Sequence, residues 1–191
     1  IDGHTGLTLT YEQVRGLVDR VSKNLHHDYA FRKGQVFAIM LPNHPYYAPL
    51  LNGVLTAGGV ATTVNPVYTR EELHHQLKDS GARLIVTIPL FLDNLISALP
   101  GTKIEAVFVL SQDAIPQKQG AKLLSANLLF KPPSNNAPLN VQIDPKKDLA
   151  FLPYSSGTTG LSKGVMLTHH NVLANIVQIE RMINFGPQEV V

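Results

Sequence analysis

Between residues 34 and 69 the chain carries no Asp, Glu, Lys or Arg. So long a stretch without a formal charge has few places to go. A membrane-spanning helix needs about 20 consecutive apolar residues. Here Pro42, Asn43, Pro45, Asn52, Gly58 and Gly59 interrupt the run repeatedly. The stretch therefore predicts a buried core, because strands covered on both faces read as near-continuous apolar runs.

The flanking sequence supplies the cover. Thr10 with Gln13 three residues on has the capping-box pattern of a helix start, and Val14, Leu17, Val18, Val21 and Leu25 then recur at helical spacing. The spacing next predicts a strand over 35–41 stopped by Pro42, a helix over 46–57 closed by Gly58-Gly59, and a β-branched strand over 60–64. Thr69 and Glu72 form a second capping box, opening a helix with Leu73 and Leu77 inward. Strands over 83–88 and 103–110 flank a helix over 89–99. Helices alternating with strands predict an α/β fold, a largely parallel sheet flanked by helices. No internal repeat is visible.

Residues 111–145 break the rhythm with Pro116, Pro132, Pro133, Pro138 and Pro145. They read as one long connection with a weak helix or strand near 123–130. A strand over 148–154 follows, then a second over 163–167. Thr168 is placed to cap a helix over 169–183, with Val172, Ile176, Ile179 and Ile183 in register.

Composition narrows the function classes. Of 191 residues, 44% are apolar and 16% charged, as in globular proteins. A net charge of +2 without a Lys/Arg run argues against nucleic-acid and membrane-surface roles. No cysteine is present, so there is no disulfide framework, thiol nucleophile or thiolate metal site. With no signal-like segment, the expectation is an intracellular protein, in the cytoplasm or in the peroxisome, whose address would be C-terminal. Ile1 in place of Met reads as the start of a cut piece. Nothing in the composition sets an oligomeric state.

The chemistry is concentrated between the last two predicted strands, in Tyr154-Ser155-Ser156-Gly157-Thr158-Thr159-Gly160-Leu161-Ser162-Lys163-Gly164. Glycines let a backbone approach a ligand closely, and successive N–H groups can converge on one anion. The hydroxyls add donors and Lys163 a mobile positive charge. A polyphosphate suits such a loop. Ser155, Ser156, Gly157, Thr158, Thr159, Gly160 and Lys163 are thus the candidate nucleotide-binding residues, and no residue is assigned as catalytic or metal-ligating. The loop is not of the Walker type. Counted from Gly157, Ser162 stands where that pattern needs Gly, and Gly164 where it needs Ser or Thr.

Residues 152–163 resemble the signature of the adenylate-forming superfamily: acyl-CoA synthetases, 4-coumarate–CoA ligases, beetle luciferases and peptide-synthetase adenylation domains. Ser162 stands where that family most often has Pro. Further resemblances are Leu9-Thr10-Tyr11, Gly34-Gln35-Val36, Leu41-Pro42-Asn43, Ala57-Gly58-Gly59, Asn65-Pro66, Tyr68-Thr69, Glu71-Glu72-Leu73, and Thr168-His169 with Asn171. The wording around Asn65 and Tyr68 leans towards the 4-coumarate–CoA ligase and luciferase-like branch.

The resemblance implies the N-terminal portion of the large domain of an ATP-dependent carboxylic acid–CoA ligase. Its partners would be ATP, Mg²⁺, coenzyme A and a small-molecule carboxylic acid. A luciferase-like oxygenase, a carrier-loading adenylation domain and a non-catalytic nucleotide-binding module share the same features. The family's acyl pocket, its Tyr-Gly-x-Thr-Glu motif, its ribose-binding Asp, its hinge and its C-terminal lid with a catalytic Lys have no counterpart in these residues. The expectation is an incomplete AMP-binding domain over 1–191, without the lid domain and inactive by itself.

The remaining histidines are weaker candidates. His26-His27, His74-His75 and His169-His170 are neighbours, whereas helical metal sites use i, i+4 spacing. His169 is expected to cap or pack, with a place near the phosphates at the start of its helix as the alternative. His44 is expected to sit in a turn, Tyr46 and Tyr47 in the core or its rim, and Glu71 and Glu72 to favour a helix N-terminus.

Overall fold

The computed structural model describes residues 6–115, 118–155 and 161–183. A seven-stranded sheet with order β5-β4-β3-β1-β2-β6-β9 forms its centre. The strands are β1 (Val36–Ile39), β2 (Val60–Thr63), β3 (Leu84–Thr87), β4 (Ala106–Val109), β5 (Leu123–Ser125), β6 (Leu149–Phe151) and β9 (Leu167–Thr168). All neighbours are parallel except β9, which runs antiparallel to β6. Strands β7 (Tyr154–Ser155) and β8 (Lys163–Gly164) form a separate two-stranded ribbon.

The sheet is buried on both faces, which accounts for the charge-free stretch. Phe37, Ile39, Leu84, Val86 and Phe108 point to one side. There they meet α1 (Tyr11–Asp28), α2 (Tyr47–Thr56) and α5 (Asn127–Phe130) through Val21, Leu25, Leu50, Val54 and Leu129. Ala38, Met40, Ile85, Val107 and Val109 point the other way, against α3 (Arg70–Ser80) and α4 (Leu92–Ala98). This period of two is the strand pleat itself. Each fully buried Leu, Val or Phe contributes about 1.5–3 kcal/mol.

Both predicted capping boxes form. The Thr10 and Thr69 hydroxyls accept from the N–H of Gln13 and Glu72, whose side chains accept from the threonine N–H in return. The helix expected over 89–99 opens as a 3₁₀ turn, Pro89–Phe91, before α4 begins.

The proline-rich connection has a topological reason. After α5 the chain must return from the β5 side of the sheet to the far side of β2, where β6 pairs. It is pinned on the way. The buried Asn24 amide donates to the Leu129 and Lys131 carbonyls, Lys23 Nζ donates to Asn136 Oδ1 at 2.7 Å, and Lys33 Nζ donates to the Gln142 carbonyl. This segment also crosses Gly58, which has φ +78°. A Cβ there would lie 2.6 Å from Val141 Cγ1.

Helices α1 and α2 approach closely at Gly53, where a Cβ would sit 2.4 Å from Val21 Cγ1. Gly53→Val is therefore expected to destabilise the fold by about 1–3 kcal/mol through overpacking, despite the better helix propensity of Val. Urea denaturation reads this as a lower midpoint; an unchanged midpoint would contradict the close packing.

Candidate functional site

The loop singled out from the sequence joins β7 to β8. Parallel strands β1, β2, β3, β4 and β6 all run one way, and β6 leads through Leu152 and Pro153 into β7. The ribbon that holds the loop's two ends thus starts beyond the carboxyl end of β6, on the side where open α/β sheets hold their ligands. Pro153 has no N–H to continue the ladder, so the strand expected over 148–154 splits. Leu152 N–H still donates to the Ala61 carbonyl, and Tyr154 starts the new ribbon.

The ribbon brings the loop's ends together. Ser155 stands opposite Lys163 and Tyr154 opposite Gly164. Gly164 fits closely under the preceding stem, since a Cβ there would meet Leu152 Cδ1 at 3.1 Å and Tyr154 Cζ at 3.2 Å. Ser155 and Lys163 are exposed. Among the described residues no carboxylate pairs with the Lys163 ammonium. Ser156, Gly157, Thr158, Thr159 and Gly160 lie outside the described residues.

The strand expected over 163–167 is also two pieces. Val165 N–H turns back to the Pro153 carbonyl at 2.8 Å, and β9 then joins the main sheet beside β6. Thr168 caps α6 (His169–Met182) in a third capping box, completed by Asn171. His169 begins this helix. Its backbone N–H donates to the Asp148 carbonyl, and its Nε2 is buried without a partner among the described residues.

Sequence reasoning missed the support given by α3. His75 Nε2–H donates to the Ser162 carbonyl at 2.8 Å, and the Tyr154 hydroxyl donates to Asp79. Burial raises the Tyr154 phenol well above its usual range, and the hydrogen bond to Asp79 and that carboxylate's charge add to the effect. Buried Gln76 donates to the Thr62 hydroxyl and the Thr63 carbonyl, and Thr62 donates to the Leu152 carbonyl at 2.7 Å. No local pattern announces these contacts. The available signal is the i, i+4 placement of His75 and Asp79 on one helix face.

Other candidates take ordinary positions. His44 sits in a turn, with its carbonyl accepting from Tyr47 N–H and its Nδ1 from Tyr46 N–H. Tyr46 and Tyr47 pack at the rim of the core. Among the described residues no group of three His, Asp or Glu could hold a metal ion, and no helix is long and apolar enough to cross a membrane.

At the start of β6, Lys33 Nζ lies 2.6 Å from Asp148 Oδ2. The hydrogen bond from Lys33 lowers the Asp148 carboxyl below its usual range, with the Asp144 N–H acting in the same direction. A depressed carboxylate stabilises the fold above its unfolded value, and that contribution is lost as pH falls through the folded value. Wild-type chain should therefore lose its stability margin over Asp148→Asn as pH drops below the ordinary carboxylate range. Thermal midpoints across an acid series check this; a constant margin would contradict it.

Comparison with known proteins gives one consistent result. A model of the AMP-binding enzyme family matches residues 1–191. The chain is 36% identical over 190 residues to a probable 4-coumarate–CoA ligase of Dictyostelium discoideum, covering 94% of this chain and 34% of the relative. The solved structure of a long-chain-fatty-acid–CoA ligase from Archaeoglobus fulgidus aligns with TM-score 0.77 and 26% identity, covering 94% of this chain and 34% of that one. A red-emitting luciferase from Phrixothrix hirtus aligns with TM-score 0.77 and 25% identity over the same shares. The chain thus spans about a third of the length of the relatives it matches.

Proposed function

The chain belongs to the AMP-binding enzyme family, and from that premise we propose that it is the N-terminal part of an ATP-dependent carboxylic acid–CoA ligase. In this reading residues 1–191 are an incomplete AMP-binding domain, and the adenine site, acyl pocket and lid lie elsewhere in the intact protein. Ser155, Ser156, Gly157, Thr158, Thr159, Gly160 and Lys163 receive the β- and γ-phosphates of ATP. The observation that carries the reading is the ribbon pairing of Ser155 with Lys163 beyond the carboxyl end of β6, with a Lys163 ammonium that has no carboxylate partner among the described residues. Membership in a family whose relatives include acid–CoA ligases supports it.

The chemistry follows from the donors. A substrate carboxylate is already a nucleophile at pH 7 and needs no general base to attack the α-phosphorus. The P–O bond to pyrophosphate breaks as the acyl–phosphate bond forms, and charge grows on the departing pyrophosphate. Fixed N–H and hydroxyl donors with Lys163 stabilise that growing charge more than the ground state, which is what accelerates a step. Mg²⁺ carried by the triphosphate supplies further charge neutralisation. Coenzyme A then takes the acyl group from AMP as a thioester.

Carboxylate-dependent ATP–pyrophosphate exchange tests this reading. The intact protein is expected to exchange with at least one member of a panel of aryl and fatty acids, and to release AMP faster when coenzyme A is added. The 191-residue chain alone is expected not to exchange. Failure of the intact protein with every acid, or robust exchange by the chain alone, would overturn the assignment.

A further inference from the structure

Building on that reading of the loop, we propose that His75 and Asp79 of α3, seated by Gln76, are positioning residues that set the geometry of both stems and so the loop's affinity for polyphosphate. Each arm of the loop is held by a different side chain of the same helix. His75 holds the outgoing stem through the Ser162 carbonyl, next to Lys163. Asp79 holds the incoming stem through the Tyr154 hydroxyl, next to Ser155. The two rings meet edge to face, centroids 6.4 Å apart at 86°. Gln76, fully buried, fixes the helix to β2, and Thr62 carries that connection on to Leu152.

These bonds bear on function and not only on stability because of what they leave free. His75 uses a ring N–H on a carbonyl, so the hydroxyl of Ser162 and the ammonium of Lys163 keep their own donors. Asp79 would repel a phosphate if it stood unpaired at the loop. As acceptor for Tyr154 it is tied to the stem instead. The ribbon's own pairing is only two residues long on each side. So short a ribbon is marginal unless something packs against it, and α3 is that support.

The test uses the intact protein and inorganic pyrophosphate with excess magnesium chloride, measured by calorimetry, with thermal midpoints alongside. Tyr154→Phe and His75→Phe keep the rings and remove one hydrogen bond each. Each is expected to weaken binding about 3- to 10-fold at a temperature where the midpoint shows the protein still fully folded. His75→Gln, which offers an amide N–H to the same carbonyl, is expected to restore near-wild-type binding. If wild type binds and Lys163→Ala binds less, yet both Phe variants bind like wild type, the positioning role is wrong and the phosphate loop stands. If binding falls only together with the midpoint and His75→Gln rescues nothing, the bonds serve stability alone and the inference also fails. If wild type does not bind, or Lys163→Ala binds equally well, the loop reading and the inference fall together.

Discussion

Replacing Lys163 by Ala is expected to slow carboxylate-dependent ATP–pyrophosphate exchange by the intact protein about 10²–10³-fold, the loss seen when one fixed donor to developing negative charge is removed. The expectation rests on position. Lys163 opens β8 opposite Ser155, is exposed, and has no ion-pair partner among the described residues. Its charge therefore does little for the folded chain, since a lone surface charge contributes only a few tenths of a kcal/mol. Activity should collapse while the thermal midpoint stays put. Exchange within 3-fold of wild type would mean that the ammonium does not meet the leaving pyrophosphate. Lys163→Arg is a useful companion, because a planar guanidinium cannot occupy the space of a compact ammonium without shifting.

Phe37→Ala should have the opposite profile, costing about 3–5 kcal/mol of stability, the usual price of a buried Phe in a sheet core. Phe37 is fully buried on β1, edge-on to Phe31 at 6.2 Å and stacked on Phe108 at 6.2 Å and 21°. Removing its ring opens a void between the sheet and α1. Against a total stability of roughly 5–15 kcal/mol for a domain, that removes between about a fifth of the margin and all of it. Chemical denaturation measures it, and a loss under about 1 kcal/mol would show that β1 is not the doubly covered strand described.

Much of the fold is legible in the sequence because its signals are local. The pairs Thr10/Gln13 and Thr69/Glu72 name helix starts by a hydrogen bond spanning three residues. The charge-free stretch names the buried strands because both faces need apolar side chains. Strand ends are less legible. The apolar run around β1 continues to Leu41, which is buried although the strand ends at Ile39 and its last rung is the Met40 N–H to the Val86 carbonyl. Burial and pairing are different constraints, and composition reports only the first.

The site divides the same way. The loop's donors are readable as residue types, but the break of each flanking strand into two pieces is not. The support from α3 is not readable, because His75 meets Ser162 and Asp79 meets Tyr154 across long separations in sequence. Helix α6 adds a complementary lesson. Its apolar register is plain in the sequence, yet Leu173, Ile176, Val177 and Met182 are exposed. Periodicity shows that a helix has an apolar side, and says nothing about which residues will cover it.

The account depends on the loop between β7 and β8 receiving the phosphate tail of a nucleotide. The most direct measurement is a titration of ¹⁵N-labelled chain with ATP, pyrophosphate and adenosine, followed at the backbone amides. ATP and pyrophosphate are expected to shift the amides of Ser155, Gly157, Thr158, Gly160 and Lys163 together, in the same direction and saturably, while adenosine leaves them unmoved. Shifts that map elsewhere on the sheet, or that adenosine reproduces without any phosphate, would contradict it.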